Sequence, residues 1–408
     1  MEPRLPIPPF AIARLPRILF GEGAIAGLAD ELRVFGRRVL LVTGAKSFRA
    51  GEAFERLCRD LAARQMSWEG ITVDGEPSPA LVDRAVADCR KGGFAVVAGI
   101  GGGSALDAAK AIAGLLGPGN SVLDHLEGVG PELPYQGPAL PFVAVPTTAG
   151  TGSEATKNAV LSVQGPDGYK KSFRHDDLVA RVAIVDPSLL ASCSRDLLAA
   201  NGMDAFTQLL ESLVSLKSNP MTDALAWSGL AAFRQGFFPA WDGGDPVAAA
   251  AGRSGIAYAS LLSGITLAQC GLGSVHGLAS PLGAFFPVPH GVACGTLVAE
   301  ATEINIRALR ARTPDSPALA KYANLGRILA GSEKTLEDGE AAETLVAVLR
   351  RWVDTLSLPG LARYGMTAEH LPRVVKESRG SSMKTNPVVL TDEEIGTLLQ
   401  RRLVVANA

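Results

Sequence analysis

The pattern that most restricts this chain is a change of style near its middle. Up to about residue 187, short β-type runs alternate with stretches of helical spacing. "RVLLVTG" (Arg38–Gly44) precedes "GEAFERLCRDLAARQ", and "FAVVAGIGGGS" (Phe94–Ser104) precedes "ALDAAKAIAGLL". "PFVAVPTTAGTGSE" and "VARVAIVDP" (Val179–Pro187) continue the series. Strands that alternate with helices imply crossover connections, and these give a parallel sheet covered on both faces. Beyond Pro187 helical segments follow one another: "RDLLAANGMDAFTQLLESLVS", "DALAWSGLAAFRQGFF", "RSGIAYASLLSGITLAQCGLGSVHGLAS" and "TLEDGEAAETLVAVLRRWVDTL". The third is apolar nearly all round and reads as a central buried helix. The expectation is an α/β N-terminal domain (residues 1–190) followed by an all-helical C-terminal domain (residues 191–408), with the boundary within Ser188–Asp196.

Composition bounds the function. A chain of 408 residues, 47% apolar and 20% charged, is long enough for two cores. Its net charge is −2 and it carries no basic block, which argues against nucleic acid or an acidic membrane surface as partner. No uninterrupted apolar run approaches the roughly 18 residues that span a bilayer. Charges and prolines interrupt "MEPRLPIPPFAIARLPRILFGEG", so it does not read as a signal peptide. The five cysteines are scattered with no C-x-x-C pair, as expected of reduced thiols in a cytoplasmic protein.

Two loops carry chemistry. "GIGGGSALDAAK" (Gly99–Lys110) joins a strand to a helix, where glycines let the backbone approach a pyrophosphate and the helix N-terminus offers free N–H groups. Ser104 stands at the third glycine position of the usual dinucleotide fingerprint, so the fit is imperfect, and a plain βα turn is the simpler alternative. "PTTAGTGSEAT" (Pro146–Thr156) also follows a strand and gathers hydroxyls that can hydrogen-bond a phosphate or ribose. A third stretch, "SVHGLASPLGAFFPVPHGVACG", places His276 and His290 in an apolar context, each followed by glycine, with prolines between them.

"GGGSALDAAK" and "PTTAGTGSE", in this order, resemble the iron-containing (group III) alcohol dehydrogenase family. The resemblance continues through "AIVDP", "NGMDAFTQLLES", "PHGVACG" and "NPVVLTDEEIGTLL", and so covers nearly the whole chain. It implies a dinucleotide-binding α/β domain, an all-helical domain, and a site in the cleft between them. It implies reduction of aldehydes or oxidation of alcohols with a nicotinamide cofactor, NADP or NAD, commonly by a homodimer. Gly101, Gly102, Gly103 and Ser104 would face the pyrophosphate, with Asp107 just inside the helix. Thr147, Thr148 and Thr151 would contact the cofactor further along, and Lys170 would approach its ribose. Gly44 stands where relatives that prefer NAD often carry an aspartate. Nothing acidic there would repel a 2′-phosphate, and Lys46, Ser47 and Arg49 could bind one, which favours NADP(H).

By the same resemblance, four side chains hold Fe²⁺ or Zn²⁺: an aspartate, a histidine one helical turn later, and two further histidines. Asp204, His276 and His290 match three of them. A helix ending near Pro281 and another starting near His290 would aim both imidazoles into one cleft. Gln208 stands at the fourth position, on the same helix face as Asp204, where its neutral amide oxygen is a weaker ligand. Glu211 follows on that stripe as a supporting partner. His276 is also the expected catalytic ligand. Ser280 replaces a further histidine placed for proton relay, and a hydroxyl can pass a proton without titrating near pH 7. His125, His175 and His370 match no ligand and read as surface or structural residues. Phe206, Trp227, Phe285 and Phe286 read as core rather than pocket. Two rival readings are a lyase resembling dehydroquinate synthase, which uses NAD without net redox, and a nucleotide-binding member that has lost catalysis.

Overall fold

The computed structural model describes residues 7–331 and 336–403. The first six residues of the N-terminal stretch and the last five of the chain lie outside them. The first half contains β1 (Arg17–Phe20), α1 (Leu28–Arg33), β2 (Arg38–Gly44), α2 (Glu52–Ala63), β3 (Ser67–Val73), α3 (Pro79–Cys89), β4 (Val96–Gly101), α4 (Gly103–Leu115), β5 (Phe142–Pro146), β6 (Asn158–Val163), β7 (Tyr169–Arg174) and β8 (Val182–Val185). Six strands form one parallel sheet in the order β1-β8-β5-β4-β2-β3. β2, β4, β5 and β8 are apolar and buried on both faces, with separate cores above and below, as a doubly covered sheet requires. Strand β3 lies on one side of β2 and β4 on the other, so the chain reverses direction across the sheet between β2 and β4. Ligands of open α/β sheets bind at such a switch point, outside the carboxyl ends of the strands. Gly44 ends β2 and Gly101 ends β4, side by side at its mouth.

Strands β6 and β7 form a separate antiparallel hairpin. Its turn docks on the helical half, where Gly165 N–H donates to the Ala284 carbonyl at 3.0 Å. Helix α4 is tied to β6 by Lys110, which is fully buried. Its ammonium reaches Ser153 O (2.9 Å), Ser153 Oγ (3.0 Å), Thr156 Oγ1 (3.0 Å) and Asn158 O (2.6 Å).

The second half is α5 (Arg195–Val214), α6 (Pro220–Asp242), α7 (Pro246–Cys270), α8 (Ser274–Phe285), α9 (His290–Arg312), α10 (Pro317–Ala330), α11 (Asp338–Thr355), α12 (Leu371–Glu377) and α13 (Asp392–Arg401), with no strand among the described residues. Helix α5 starts at an N-cap in which Ser194 accepts Leu197 N–H, and it is buried nearly all round. It packs on α6, α7 and α9 and forms the centre of the helical core.

Two expectations about helix limits are corrected. The segment read as one central helix is two, α7 and α8, bent by 101°. The bend falls at Gly271-Leu272-Gly273, where Gly271 adopts a positive φ of 70° that ends α7. It places His276 in the first turn of α8. Helix α8 then runs through Pro281 to Phe285 instead of ending at the proline. Pro281 lacks only the N–H that would reach Gly277, and the break comes at the Pro287/Pro289 pair. No single described helix is long and apolar enough to cross a membrane. Phe206 lies in the helical core against Phe233 and Trp352.

Candidate metal centre and cofactor crevice

Three helices deliver the ligand candidates. Asp204 projects from the middle of α5, His276 from the first turn of α8, and His290 opens α9. His276 Nε2 lies 3.1 Å from Asp204 Oδ1, and His290 Nε2 lies 3.7 Å from the same oxygen. Cys294 joins them. Its Sγ is 3.6 Å from His276 Nε2 and 3.8 Å from His290 Nε2. The four donor atoms all fall within 4.8 Å of one another. Cys294 was not singled out as a site residue from the sequence, although its spacing carried the signal: it follows His290 by four residues, one helical turn along the same face.

The glycines after these residues set the spacing of the helices. A Cβ on Gly291 would meet the Ala200 carbonyl of α5 at 2.5 Å, and one on Gly295 would meet Met203 Cβ at 2.9 Å. Helix α9 therefore lies against α5 along a seam to which α9 contributes no side chain, one residue beyond each of its two donors.

Glu211 holds His276 in place. One carboxylate oxygen accepts Val275 N–H (2.6 Å), and the other accepts His276 Nδ1–H (2.7 Å). The same carboxylate thus caps α8 and fixes the imidazole tautomer, leaving Nε2 aimed at Asp204. Burial disfavours charge at every member of the cluster. For Asp204 the neighbouring imidazoles outweigh it and hold the carboxyl down at about 2. For His276 the surrounding anions likewise win and raise the imidazole well above its usual value. His290, desolvated and facing Lys170, is pushed down to about 4, and burial pushes the Cys294 thiol up to about 12. A carboxylate oxygen, two imidazole nitrogens and a sulfur converging on one point, with a carboxylate behind one imidazole, fit a divalent metal that displaces the bound protons.

Gln208 does not present its oxygen to this point. Its amide nitrogen is 3.4 Å from Asp204 Oδ1, while its oxygen faces the Ser263 hydroxyl at 3.2 Å, whose proton is shared with the Ser260 carbonyl at 2.8 Å. The reverse orientation would set the amide oxygen against a carboxylate. Ser280 donates to the Lys170 carbonyl at 3.0 Å, so its hydroxyl joins α8 to β7. The Lys170 ammonium is paired with Glu76, which Ser162 also hydrogen-bonds. Burial works against the Glu76 carboxylate, but Lys170 outweighs it and keeps the carboxyl below its usual range. His125, His175 and His370 are bonded to Leu133 O, Asp177 N and Thr367 N, outside the cluster.

The glycine loop is equally compact. A Cβ on Gly102 would lie 3.2 Å from Thr148 Oγ1, and one on Gly103 would lie 2.7 Å from Thr151 Oγ1. Thr147 N–H donates to Gly101 O at 2.9 Å. The two loops therefore form one surface at the β2/β4 switch point, with Ser104 in the first turn of α4. Asp107 does not face it. Its oxygens accept Ser153 Oγ–H and Val160 N–H (3.2 Å), and its side chain is 13% exposed, so it locks α4 to the next loop and hairpin. Asn201 connects the two sites. A Cβ on Gly150 would be 3.0 Å from Asn201 Cβ, and one on Gly291 would be 3.2 Å from Asn201 N.

Comparison with known proteins agrees with this architecture. The profile of the iron-containing alcohol dehydrogenases matches residues 16–187, and that of the Fe-containing alcohol dehydrogenase C-terminal domain matches residues 198–403. The chain is 31% identical over 391 residues to alcohol dehydrogenase 4 of Saccharomyces cerevisiae, covering 95% of this chain and 96% of that protein. It is 31% identical over 390 residues to long-chain-alcohol dehydrogenase 1 of Geobacillus thermodenitrificans, covering 93% of each. The crystal structure of a 1,3-propanediol oxidoreductase superposes with a TM-score of 0.85 at 27% identity, covering 97% of this chain and 100% of that one.

Proposed function

This chain belongs to the iron-containing alcohol dehydrogenase family, and from that premise we propose a metal-assisted, NADP(H)-preferring dehydrogenase that interconverts a small alcohol and its aldehyde in the cytoplasm, as a homodimer. One observation carries the reading: Asn201 packs against both Gly150 of the second loop and Gly291 beside His290, which sets the cofactor loops next to the Asp204–His276–His290 cluster.

Asp204, His276 and His290 would hold the ion, which as a Lewis acid polarises the carbonyl and stabilises the alkoxide. A nicotinamide nucleotide bound along the glycine crevice would supply or accept the hydride. The protein contributes position and exclusion of water. Glu211 fixes His276, and the bare seam of Gly291 and Gly295 fixes the distance of α9 from α5. Lys170, paired with Glu76 beside His290, would bind a ribose hydroxyl of the cofactor. The Ser280 hydroxyl donates to the Lys170 carbonyl and so joins α8 to β7, a role that leaves it no free proton to relay.

The preference for NADP(H) is supported at the end of β2. No acidic side chain stands at Gly44, and Arg49 Nη2 is buried without a hydrogen-bond partner while Nε donates to Thr43 Oγ1 at 2.6 Å. Arg49 Nη2 faces Gly70 of β3, so the groups free to meet a 2′-phosphate are the exposed Lys46 and Ser47 just beyond Gly44. The cytoplasmic location is supported by five free cysteines. The test is stoichiometry: oxidation of NADPH or NADH equal to alcohol formed, in protein supplied with metal, supports a dehydrogenase. Product formation without net change in the cofactor would favour the lyase reading.

A further inference from the structure

Compared with the family pattern, the cluster lacks an imidazole on α5 and has an added thiol on α9. Position 208, one turn after Asp204, carries an amide whose oxygen is engaged by Ser263. Position 294, one turn after His290, carries a sulfur that touches both imidazole nitrogens. Resting on the metal-assisted reading above, we propose that Cys294 is itself a metal ligand: its thiolate fills the position that Gln208 leaves open, and the resulting carboxylate–imidazole–imidazole–thiolate set favours zinc over iron(II).

Three observations support this. The first is distance. Ligands at about 2.05 Å (N, O) and 2.3 Å (S) from a tetrahedral zinc stand about 3.5 Å apart for nitrogen–sulfur edges and about 3.3 Å for nitrogen–oxygen edges. The sulfur edges here are 3.6 and 3.8 Å, and the carboxylate edges are 3.1 and 3.7 Å. Four of the six edges thus lie close to those of a tetrahedral zinc shell, and the other two are within 4.8 Å. The second is placement. Cys294 is fully buried, and Gly295 directly after it leaves room for the Met203 side chain of α5 and for Leu358. Its sulfur shares the two imidazole nitrogens with Asp204 Oδ1, a polar setting that a small apolar filler does not need. The third is donor chemistry. A thiolate is softer than an amide oxygen or a carboxylate, and soft donors favour zinc. With Asp204 it also supplies two negative charges to a divalent ion, and loading releases the thiol proton and the His276 Nε2 proton to solvent.

The first experiment needs no mutation. In the full-length protein loaded with zinc, X-ray absorption at the zinc edge is expected to show one sulfur at about 2.3 Å among nitrogen and oxygen neighbours. Only light neighbours would overturn the assignment of Cys294 while leaving the metal-assisted function intact. Failure to bind zinc or iron at all would overturn both. The second experiment substitutes cobalt(II). A thiolate-to-metal charge-transfer band in the near ultraviolet is expected in the wild type and in Gln208→Ala, and is expected to vanish in Cys294→Ser. Its absence from the wild type, or its survival in Cys294→Ser, would count against the proposal. In zinc/iron(II) competition, Cys294→Ala is expected to reduce the preference for zinc by about tenfold; an unchanged ratio would contradict the claimed selectivity.

Discussion

Replacing Glu211 by glutamine separates orientation of the metal centre from its ligands. Glu211 is buried and accepts Val275 N–H and His276 Nδ1–H through different oxygens. Glutamine has the same shape but only one acceptor. If its oxygen stays with Val275, its NH₂ faces His276 Nδ1 and donates to it. The imidazole then loses its proton at Nδ1 and keeps the one on Nε2, the atom that faces Asp204. Metal must displace that proton against the preferred tautomer. Losing such a carboxylate–imidazole support typically weakens metal binding by about 10- to 100-fold, or about 1.4 to 2.7 kcal/mol. The metal-free fold also loses a charge-assisted hydrogen bond, a further ~1.5 to 3 kcal/mol. Zinc affinity is read by competition with a chromophoric chelator, and stability by urea unfolding of metal-free protein. Affinity and stability both within twofold of wild type would show that Glu211 does not set the His276 tautomer.

Other changes probe other parts of the structure. Gly291→Ala places a methyl group 2.5 Å from the Ala200 carbonyl; it is expected to cost ~1 to 3 kcal/mol of stability and to weaken metal binding, both measurable in the same assays. Lys46→Ala is expected to raise KM for NADPH about tenfold or more and to leave KM for NADH nearly unchanged; equal effects on both would remove Lys46 from the 2′-phosphate site. Glu154, buried in the second loop, has its carboxyl pushed up to about 7 by burial. The folded state holds this proton longer than the unfolded one, whose carboxyl titrates near ~4.3, so stability falls as pH rises from about 4 through 7, by ~3 kcal/mol. Glu154→Gln is expected to flatten that dependence and raise stability at pH 8, as read by urea unfolding across pH.

The parts of the fold most visible in the sequence were those with the strongest physical constraint. β2, β4, β5 and β8 are buried on both faces and appear as unbroken apolar runs. β3 was not read as a strand because it is an edge strand with mostly exposed side chains and a glycine at position 70. The β6–β7 hairpin was passed over although Pro166-Asp167-Gly168 marks its turn. The α7–α8 bend rests on Gly271-Leu272-Gly273, which in so apolar a stretch is easily taken for small packing residues. In the site, Asp204, His276 and His290 were legible by resemblance. Cys294 was not, because a cysteine in an apolar helix looks like core until His290 is seen on the same face. Asp107 shows the reverse. A carboxylate at the start of a phosphate-binding helix suggests a ligand contact, yet this one is satisfied internally by Ser153 and Val160.

The most direct measurement is the metal content of protein purified anaerobically without chelator, followed through removal and return of the ion. Near one divalent ion per chain, lost together with NAD(P)H-dependent aldehyde reduction on chelation and regained with it, is the expected result. Full turnover in protein stripped of metal, or a protein that binds no ion when Zn²⁺ and Fe²⁺ are supplied, would contradict a metal centre built on Asp204, His276 and His290.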